Sequence, residues 1–199
     1  MTSLAPTPSQ TVGPFYGYAL PLPKGGDIAP EGDPRAVAVH GYVYDGAGQP
    51  VPDALIEVFQ ADPEGDAAGA PGSLRREPTT GRLNGRDGLT WTGFGRIATD
   101  PDGHWVVRTL PPGAVGEGRQ PYLAVVVFAR GLLHHLHTRV YLADQVEAAA
   151  DPLLSSLEPA RAETLLAKPE RPGVYRFDIR LQQGEDGAEE TVFLDFAQH

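Results

Sequence analysis

Short runs in which apolar and polar residues alternate dominate the chain, and they predict β-strands. The clearest run covers residues 174–181, where apolar residues from Tyr175 to Leu181 stand at every second position. Such a strand would bury one face and expose the other. Residues 100–103 (DPDG) are typical of a tight hairpin turn. Further alternating or continuous apolar runs predict strands over 36–44, 54–60, 94–99, 104–109, 122–129, 135–142 and 190–196.

Helical patterns are few. They cover residues 143–150 and 159–167, and Pro159 suits the first turn of the second helix. Gly and Pro are abundant, at 24 and 20 of the 199 residues, which disfavours long helices. Residues 61–93 show no clear period, and a connection of that length is usually functional or mobile. Many short strands with minor helical elements predict an all-β fold, specifically a β-sandwich.

The domain organisation follows from where the strands begin. We expect a single domain over residues 1–199, made of an extended N-terminal arm (1–35) and a β-sandwich core (36–199). The arm is rich in Pro, Gly and Thr, but it also carries aromatic and aliphatic residues that need burial. These residues predict that the arm packs on a partner chain, and folding over its own domain is the alternative.

Charge and cysteine content narrow the functional class. The net charge is −10 with a pI near 4.9, and a protein that binds nucleic acid needs a cationic face instead. The absence of cysteine excludes disulfides, thiolate metal sites and a cysteine nucleophile. The N-terminus shows no signal-peptide pattern and no run is long enough to span a bilayer. We therefore expect a cytoplasmic protein without a nucleic-acid or membrane partner.

The most conspicuous local motif is HHLH at residues 134–137. On a strand, His135 and His137 would point to the same side, so both imidazoles could bind one metal ion. Further ligands would be needed, and no spacing identifies them. Packing of these histidines against carboxylates at an interface is the favoured interpretation.

Arg130 is a second candidate for chemistry. It ends the apolar run 122–129 and is followed by Gly131. An arginine that emerges from a buried strand can bind a carboxylate through two parallel hydrogen bonds. A surface cation at the edge of a sheet is the alternative.

Several segments together resemble the intradiol ring-cleavage dioxygenases. The strand–turn–strand pattern G-x-V-x-D-x-x-G-x-P-V-x-x-A, within residues 41–54, is shared across that family. TPSQT-x-GP and FARG…HLHTR are typical of the α-type chain of its two-chain members. The similarity covers nearly the whole chain, through residues 7–16, 40–62, 94–113, 126–131, 135–142, 161–168, 175–182 and 190–196.

This resemblance implies a β-sandwich and a reaction in which dioxygen cleaves a catechol ring between its two hydroxyls. In the two-chain members, α and β chains form units of a larger oligomer, and the active site lies where the chains meet. The catalytic β chain holds Fe(III) through two tyrosines and two histidines. The resemblance therefore implies a β-chain partner, a small aromatic substrate and O2.

The iron ligands implied by the family are missing from this chain. The segment that follows the hairpin reads PPGAV at residues 111–115, without the family's tyrosine. The start of the next strand reads PYLA at 121–124, without the histidine pair, and residues 61–93 contain no tyrosine. His135 and His137 lie one strand further along and only mimic the ligand motif. Two imidazoles without phenolates would also bind ferric iron poorly.

We therefore expect no catalytic residue and no metal ligand in this chain, and iron in the partner chain. The chain would instead shape the substrate pocket. Two alternatives remain, a self-sufficient metal enzyme that uses His135 and His137, and a transthyretin-like binding module without chemistry. The residues that the resemblance places at the pocket are Thr11, Gly13, Pro14, Phe15, Tyr16 and Arg130.

Overall fold

The structure is a computed structural model that describes residues 10–13, 15–67, 72–185 and 187–195. Pro14, one of the predicted pocket residues, lies outside these ranges. The helices in them are α1 (Tyr16–Ala19) and α2 (Pro159–Glu163), with two 3-10 turns at Ala148–Ala150 and Leu154–Ser156. The strands are β1 (Val37–Tyr44), β2 (Leu55–Phe59), β3 (Leu74–Arg76), β4 (Leu83–Arg86), β5 (Phe94–Ala98), β6 (His104–Thr109), β7 (Leu123–Phe128), β8 (Leu136–Leu142), β9 (Leu166–Arg171), β10 (Val174–Arg176) and β11 (Ile179–Arg180).

Two sheets enclose the main apolar core, and a smaller apolar cluster forms around Tyr141, Leu154, Leu165 and Val192. Strand β1 pairs with β6, β10 and β11, and β10 pairs with β9. In the other sheet, β2 pairs with β5 and β7, and β7 pairs with β8. A short parallel contact between β8 and β9 joins the two. The core takes side chains from both sheets, and the predicted all-β sandwich is confirmed. Its fully buried members include Val39, Ile56, Val107, Val127 and Ile179.

The predicted strand 174–181 is interrupted in the structure. Strand β10 ends at Arg176 and β11 begins at Ile179, because the chain between them crosses β1 closely at Gly41. The Phe177 amide donates to the His40 carbonyl at 2.7 Å. A Cβ on Gly41 would stand 1.8 Å from the Phe177 carbonyl oxygen, so only glycine fits there.

The helical predictions were partly wrong. Helix α2 ends at Glu163, and residues 166–171 form β9 because Leu166 and Ala167 pair with the end of β8. Burial of Ala167 outweighs local helix propensity here. In residues 143–150 only a single 3-10 turn forms.

The C-terminal strand prediction also needs correction. Within the described residues of 190–196, pairing is limited to a bridge between Leu194 and His137. The hydroxyl of Thr138 donates to the Val192 carbonyl at 2.8 Å, so this segment follows β8 without forming a regular strand.

Part of the N-terminal arm folds over its own domain. Gly25 and Gly26 lie between β5 and β6, where the Arg96 amide donates to the Gly25 carbonyl at 3.1 Å and the Arg108 amide to the Gly26 carbonyl at 2.8 Å. Ile28 is fully buried in the core just beyond them. The arm residues before Tyr16 form no comparable contacts among those the structure describes.

The long connection 61–93 contains the small β3–β4 hairpin, and Arg86 on β4 fastens it to the arm. The Arg86 guanidinium donates to the carbonyls of Lys24 and Gly25 at 3.0 Å each, and also to that of Phe94. Burial lowers the pKa of Arg86 to about 10. In the described part of the chain, no helix has the length and apolar character needed to cross a bilayer.

Candidate functional site

Arg130, Asp53 and Tyr16 meet at one edge of the β2–β7 sheet. The antiparallel register places Leu55 opposite Phe128. Asp53 stands two residues before Leu55 and Arg130 two residues after Phe128, so the two side chains emerge opposite each other. The Arg130 guanidinium forms an ion pair with the Asp53 carboxylate.

Tyr16 on α1 completes this cluster from the arm. Its side chain is buried, at 7% exposure, and its hydroxyl donates to the Asp53 carbonyl at 2.5 Å. The same hydroxyl lies 3.3 Å from Asp53 Oδ1. Asp53 therefore joins the arm to the arginine, although neither neighbour is near it in sequence. We call these three residues the Asp53 cluster.

The backbone of Asp53 is unusual. Its φ is +63°, in the left-handed region that side chains other than glycine rarely adopt. Aspartate tolerates this conformation better than most residues, because its short side chain can bond locally. Pro52 precedes it and restricts the turn further. The Asp53 carboxylate is thus presented from a stiff turn between β1 and β2.

The environment of Tyr16 favours the neutral phenol. Burial raises its pKa to about 12, helped by the negative charge of Asp53 and by their hydrogen bond, while Arg130 opposes the shift. At neutral pH the hydroxyl therefore remains a hydrogen-bond donor, and its bond to Asp53 is maintained.

The other predicted pocket residues do not join the Asp53 cluster. Thr11 and Gly13 are exposed, and Phe15 is 76% exposed. The Tyr16 amide donates to the Gly13 carbonyl at 3.2 Å, which closes a turn. This turn directs the adjacent aromatic residues to different environments, with Tyr16 buried and Phe15 in solvent.

Sequence reasoning missed Asp53 and the cleft beside the cluster. Asp53 follows a proline and resembles an ordinary turn residue, so no local signal marked it. The cleft has a volume of about 120 Å³ and separates the arm from the HHLH segment. Its lining residues are Gln10, Val12, Phe128, Ala129, Leu132, Leu133, His134 and His135.

His135 and His137 pack as aromatic rings. Their ring centroids are 4.7 Å apart in an edge-to-face arrangement, and His135 also lies 5.4 Å from the Phe128 ring. Burial and the neighbouring His135 lower the pKa of His137, which favours its neutral form. Over the ranges that the structure describes, no three His, Cys, Asp or Glu side chains are arranged to hold a metal ion.

The positions where the resemblance places the iron ligands carry residues that cannot bind iron. Strand β7 turns Leu123 and Val125 into the core, and each is 1% exposed. The resemblance places the histidine pair within residues 121–124, and this segment contains no histidine. Ala114 and Val115 stand where the family tyrosine would be. This donor set does not fit ferric iron.

A partly buried polar network lies beside strand β7. The Arg139 guanidinium lies 4.2 Å from the centroid of the Tyr122 ring and donates to the Tyr141 hydroxyl at 3.1 Å. Tyr141 in turn donates to Asp151 Oδ1 at 3.1 Å. Burial is the main cause that raises the pKa of Tyr141 to about 12. These contacts connect Arg139 of β8 with Tyr122 just before β7 and, through Tyr141, with Asp151.

Comparison with known proteins identifies the family. A family model described as a dioxygenase matches residues 12–183. A Burkholderia cepacia protein named protocatechuate 3,4-dioxygenase alpha chain is 40% identical over 212 residues, covering 98% of this chain and 100% of that protein. The chain belongs to the intradiol dioxygenase family. Another intradiol dioxygenase relative, from Pseudomonas putida and with the same name, is 37% identical over 97% of this chain and 98% of its own length.

Solved structures of intradiol dioxygenases agree with the fold. The dioxygenase domain of a carbohydrate-binding fusion protein from Streptomyces sp. SirexAA-E matches with a TM-score of 0.57 and 24% identity. The match covers 94% of this chain and 100% of that domain. This match agrees with the fold, and the family model with the two relatives confirms the resemblance predicted from sequence motifs. Intradiol dioxygenases depend on iron, yet the residues of this chain at the implied ligand positions cannot supply its ligands.

Proposed function

We propose that this chain is the non-catalytic α subunit of a protocatechuate 3,4-dioxygenase. It shapes the substrate pocket of a companion β chain, which binds Fe(III) and uses O2 to convert protocatechuate to 3-carboxy-cis,cis-muconate. The observation that carries the proposal is that residues 121–124, where the resemblance places the histidine pair, contain no histidine, while Leu123 and Val125 of β7 turn aliphatic side chains into the core. The similarity to two proteins named as α chains gives independent support.

Arg130 is the group we assign to the substrate carboxylate. Protocatechuate differs from catechol by this carboxylate, and the two ring hydroxyls are bound by the iron of the companion chain. The Arg130 side chain is 64% exposed in this chain, so its guanidinium is accessible to a ligand. Arginine suits this role because its planar donors match the two oxygens of a carboxylate.

The exposed part of the arm is assigned to the companion chain. Phe15 and Tyr18 are 76% and 86% exposed, which is costly for large aromatic side chains in water. Aromatic residues are enriched at the centres of protein interfaces. We therefore propose that Thr11, Gly13 and Phe15 reach the shared pocket and that Tyr18 packs on the companion.

We also propose that the assembled enzyme lies in the cytoplasm, which cell fractionation tests.

The self-sufficient metal enzyme is the less supported alternative. It would need a further ligand beside His135 and His137, and the described residues provide no such group. The histidines instead pack against each other and against Phe128.

Reconstitution with the companion chain tests the proposal. We expect neither ring cleavage nor stoichiometric iron in this chain purified alone. When it is co-purified with a chain that carries the two tyrosines and the histidine pair, we expect protocatechuate cleavage and one iron per pair of chains. Iron bound by this chain alone, with a visible phenolate-to-iron absorption band, would contradict the proposal.

A further inference from the structure

We propose that Asp53 is a positioning residue, which holds the Arg130 guanidinium at the pocket so that it can receive the substrate carboxylate. This inference rests on the proposed role of Arg130. It assigns a function to a residue that no sequence motif identified, and it predicts a specific kinetic defect.

The first step in the argument is that Asp53 is itself held firmly. Its backbone sits in a left-handed turn after Pro52, at φ +63°. Its carbonyl accepts the Tyr16 hydroxyl at 2.5 Å, and the tyrosine is 7% exposed. The Asp53 backbone is therefore held firmly, and the Tyr16 hydroxyl also lies 3.3 Å from Oδ1, so the carboxylate can in turn restrict a flexible partner.

The second step concerns Arg130, which would otherwise be mobile. It follows the last residue of β7 by two positions and precedes Gly131, whose φ is +89°. Among the described residues, Asp53 is the acceptor to which the Arg130 guanidinium donates. That contact uses Nη2, and a guanidinium has further N–H donors for a second carboxylate.

The third step is the energetic consequence. Arg130 is mostly exposed, at 64%, and Asp53 is partly exposed, at 35%, so the ion pair contributes little to folding. Its effect is expected on binding instead. A long side chain that is already ordered loses less conformational freedom when a ligand binds. The Asp53 charge partly offsets the attraction of Arg130 for an anion, but it also strengthens the hydrogen bond that orders the guanidinium, and a neutral oxygen acceptor would keep a weaker form of that bond.

The test uses the assembled enzyme and compares protocatechuate with catechol. Asp53→Ala removes the acceptor, so we expect KM for protocatechuate to rise about two- to tenfold with kcat unchanged. Catechol has no carboxylate, and its kinetics should stay the same. Asp53→Asn keeps an oxygen acceptor and should restore KM toward the wild-type value.

A matched control removes an Asp–Arg pair elsewhere in the chain. Arg35 Nη2 lies 2.9 Å from Asp33 Oδ2 in an ion pair. Asp33→Ala should leave KM for both substrates unchanged. In the double variant Asp53→Ala/Arg130→Ala, KM should equal that of Arg130→Ala alone, because no guanidinium remains to be positioned.

Three results would overturn the inference. Asp53→Ala could raise KM for both substrates equally, which would mean that it supports the interface. It could lower KM for protocatechuate, which would mean that Asp53 competes with the substrate. In the double variant, the increases in KM for protocatechuate caused by Asp53→Ala and Arg130→Ala could also be independent and multiply, which would mean that Asp53 does not act through Arg130.

Comparison with Arg130→Ala separates the inference from the proposed function on which it rests. If Arg130→Ala raises KM for protocatechuate more than for catechol and Asp53→Ala does not, the positioning role alone is wrong. If Arg130→Ala affects both substrates alike, the proposed role of Arg130 is wrong, and the inference with it. Should Asp53→Ala fail to fold, Tyr16→Phe loosens Asp53 while keeping the carboxylate. It should then raise KM for protocatechuate by a smaller factor, and an unchanged KM would count against the inference.

Discussion

At the scale of single residues, the exposed guanidinium of Arg130 gives the sharpest prediction. In the assembled enzyme, Arg130→Ala should lower kcat/KM for protocatechuate by a factor equivalent to about 1.5–3 kcal/mol, the range for a hydrogen bond to a charged group. Catechol should be affected much less, because it has no carboxylate. Steady-state kinetics with both substrates measures the difference. An equal loss for both would assign Arg130 to the structure or the interface.

Tyr16 and Tyr141 give a prediction about alkaline pH. Burial is the main cause that raises the pKa of each phenol to about 12 from an ordinary value of 10.0. The unfolded chain therefore loses these protons at a lower pH than the folded chain does. The contribution of the two phenols to the free energy of unfolding is fully present below pH 10 and is lost as the pH rises from 10 to 12. The free energy of unfolding, measured against pH by urea titration, should fall across that window.

Two variants separate this effect from general alkaline damage. Tyr16→Phe should reduce the decrease in the free energy of unfolding between pH 10 and 12, because one shifted group is removed. Tyr18 is 86% exposed, so Tyr18→Phe should leave the decrease unchanged. If the free energy of unfolding of both variants depended on pH in the same way, the pKa of the Tyr16 phenol would not be raised in solution.

At the scale of secondary-structure elements, the arm is inserted between β5 and β6 through a close backbone contact. A Cβ on Gly25 would stand 1.8 Å from the Arg96 carbonyl oxygen. Gly25→Ala should therefore reduce the free energy of unfolding by about 1–3 kcal/mol, the typical cost of overpacking. Chemical denaturation measures it.

Gly17→Ala is the control within the same arm. Its Cβ would approach only the Cβ of Asp53, at 4.0 Å, and α1 should accept alanine at least as well as glycine. The free energy of unfolding should be unchanged or slightly higher. If Gly25→Ala were equally harmless, the arm would not be packed between the sheets in solution.

At the scale of the whole molecule, the exposed aromatic residues of the arm predict dependence on the companion chain. Phe15 and Tyr18 leave large apolar surfaces in water unless a partner covers them. A partner that binds only the folded chain stabilises it by mass action. We expect the isolated chain to be poorly soluble or unstable, and its Tm to rise with the concentration of the companion. The prediction would be contradicted if the isolated chain were a monodisperse monomer that unfolds cooperatively at a Tm independent of the companion concentration.

The sequence by itself determined the residue identities and local periods from which the fold followed. Alternating and continuous apolar runs located β1, β2, β5, β6, β7 and β8 to within a residue at either end, because the apolar pattern of a strand depends on its own side chains. The absence of a histidine pair from residues 121–124 was also readable from the sequence, and it is the basis of the prediction that this chain binds no iron.

Only the tertiary structure decided which distant residues meet. Tyr16 is 37 residues from Asp53, and Asp53 is 77 residues from Arg130, so no local pattern could associate them. Their meeting depends on the register of β2 against β7 and on the fold of the arm. The same reason explains the break after β10 and the strand β9, where packing against β1 and β8 outweighed local propensity. Local patterns encode the period of an element, whereas pairing between elements is decided by the packing of the complete core.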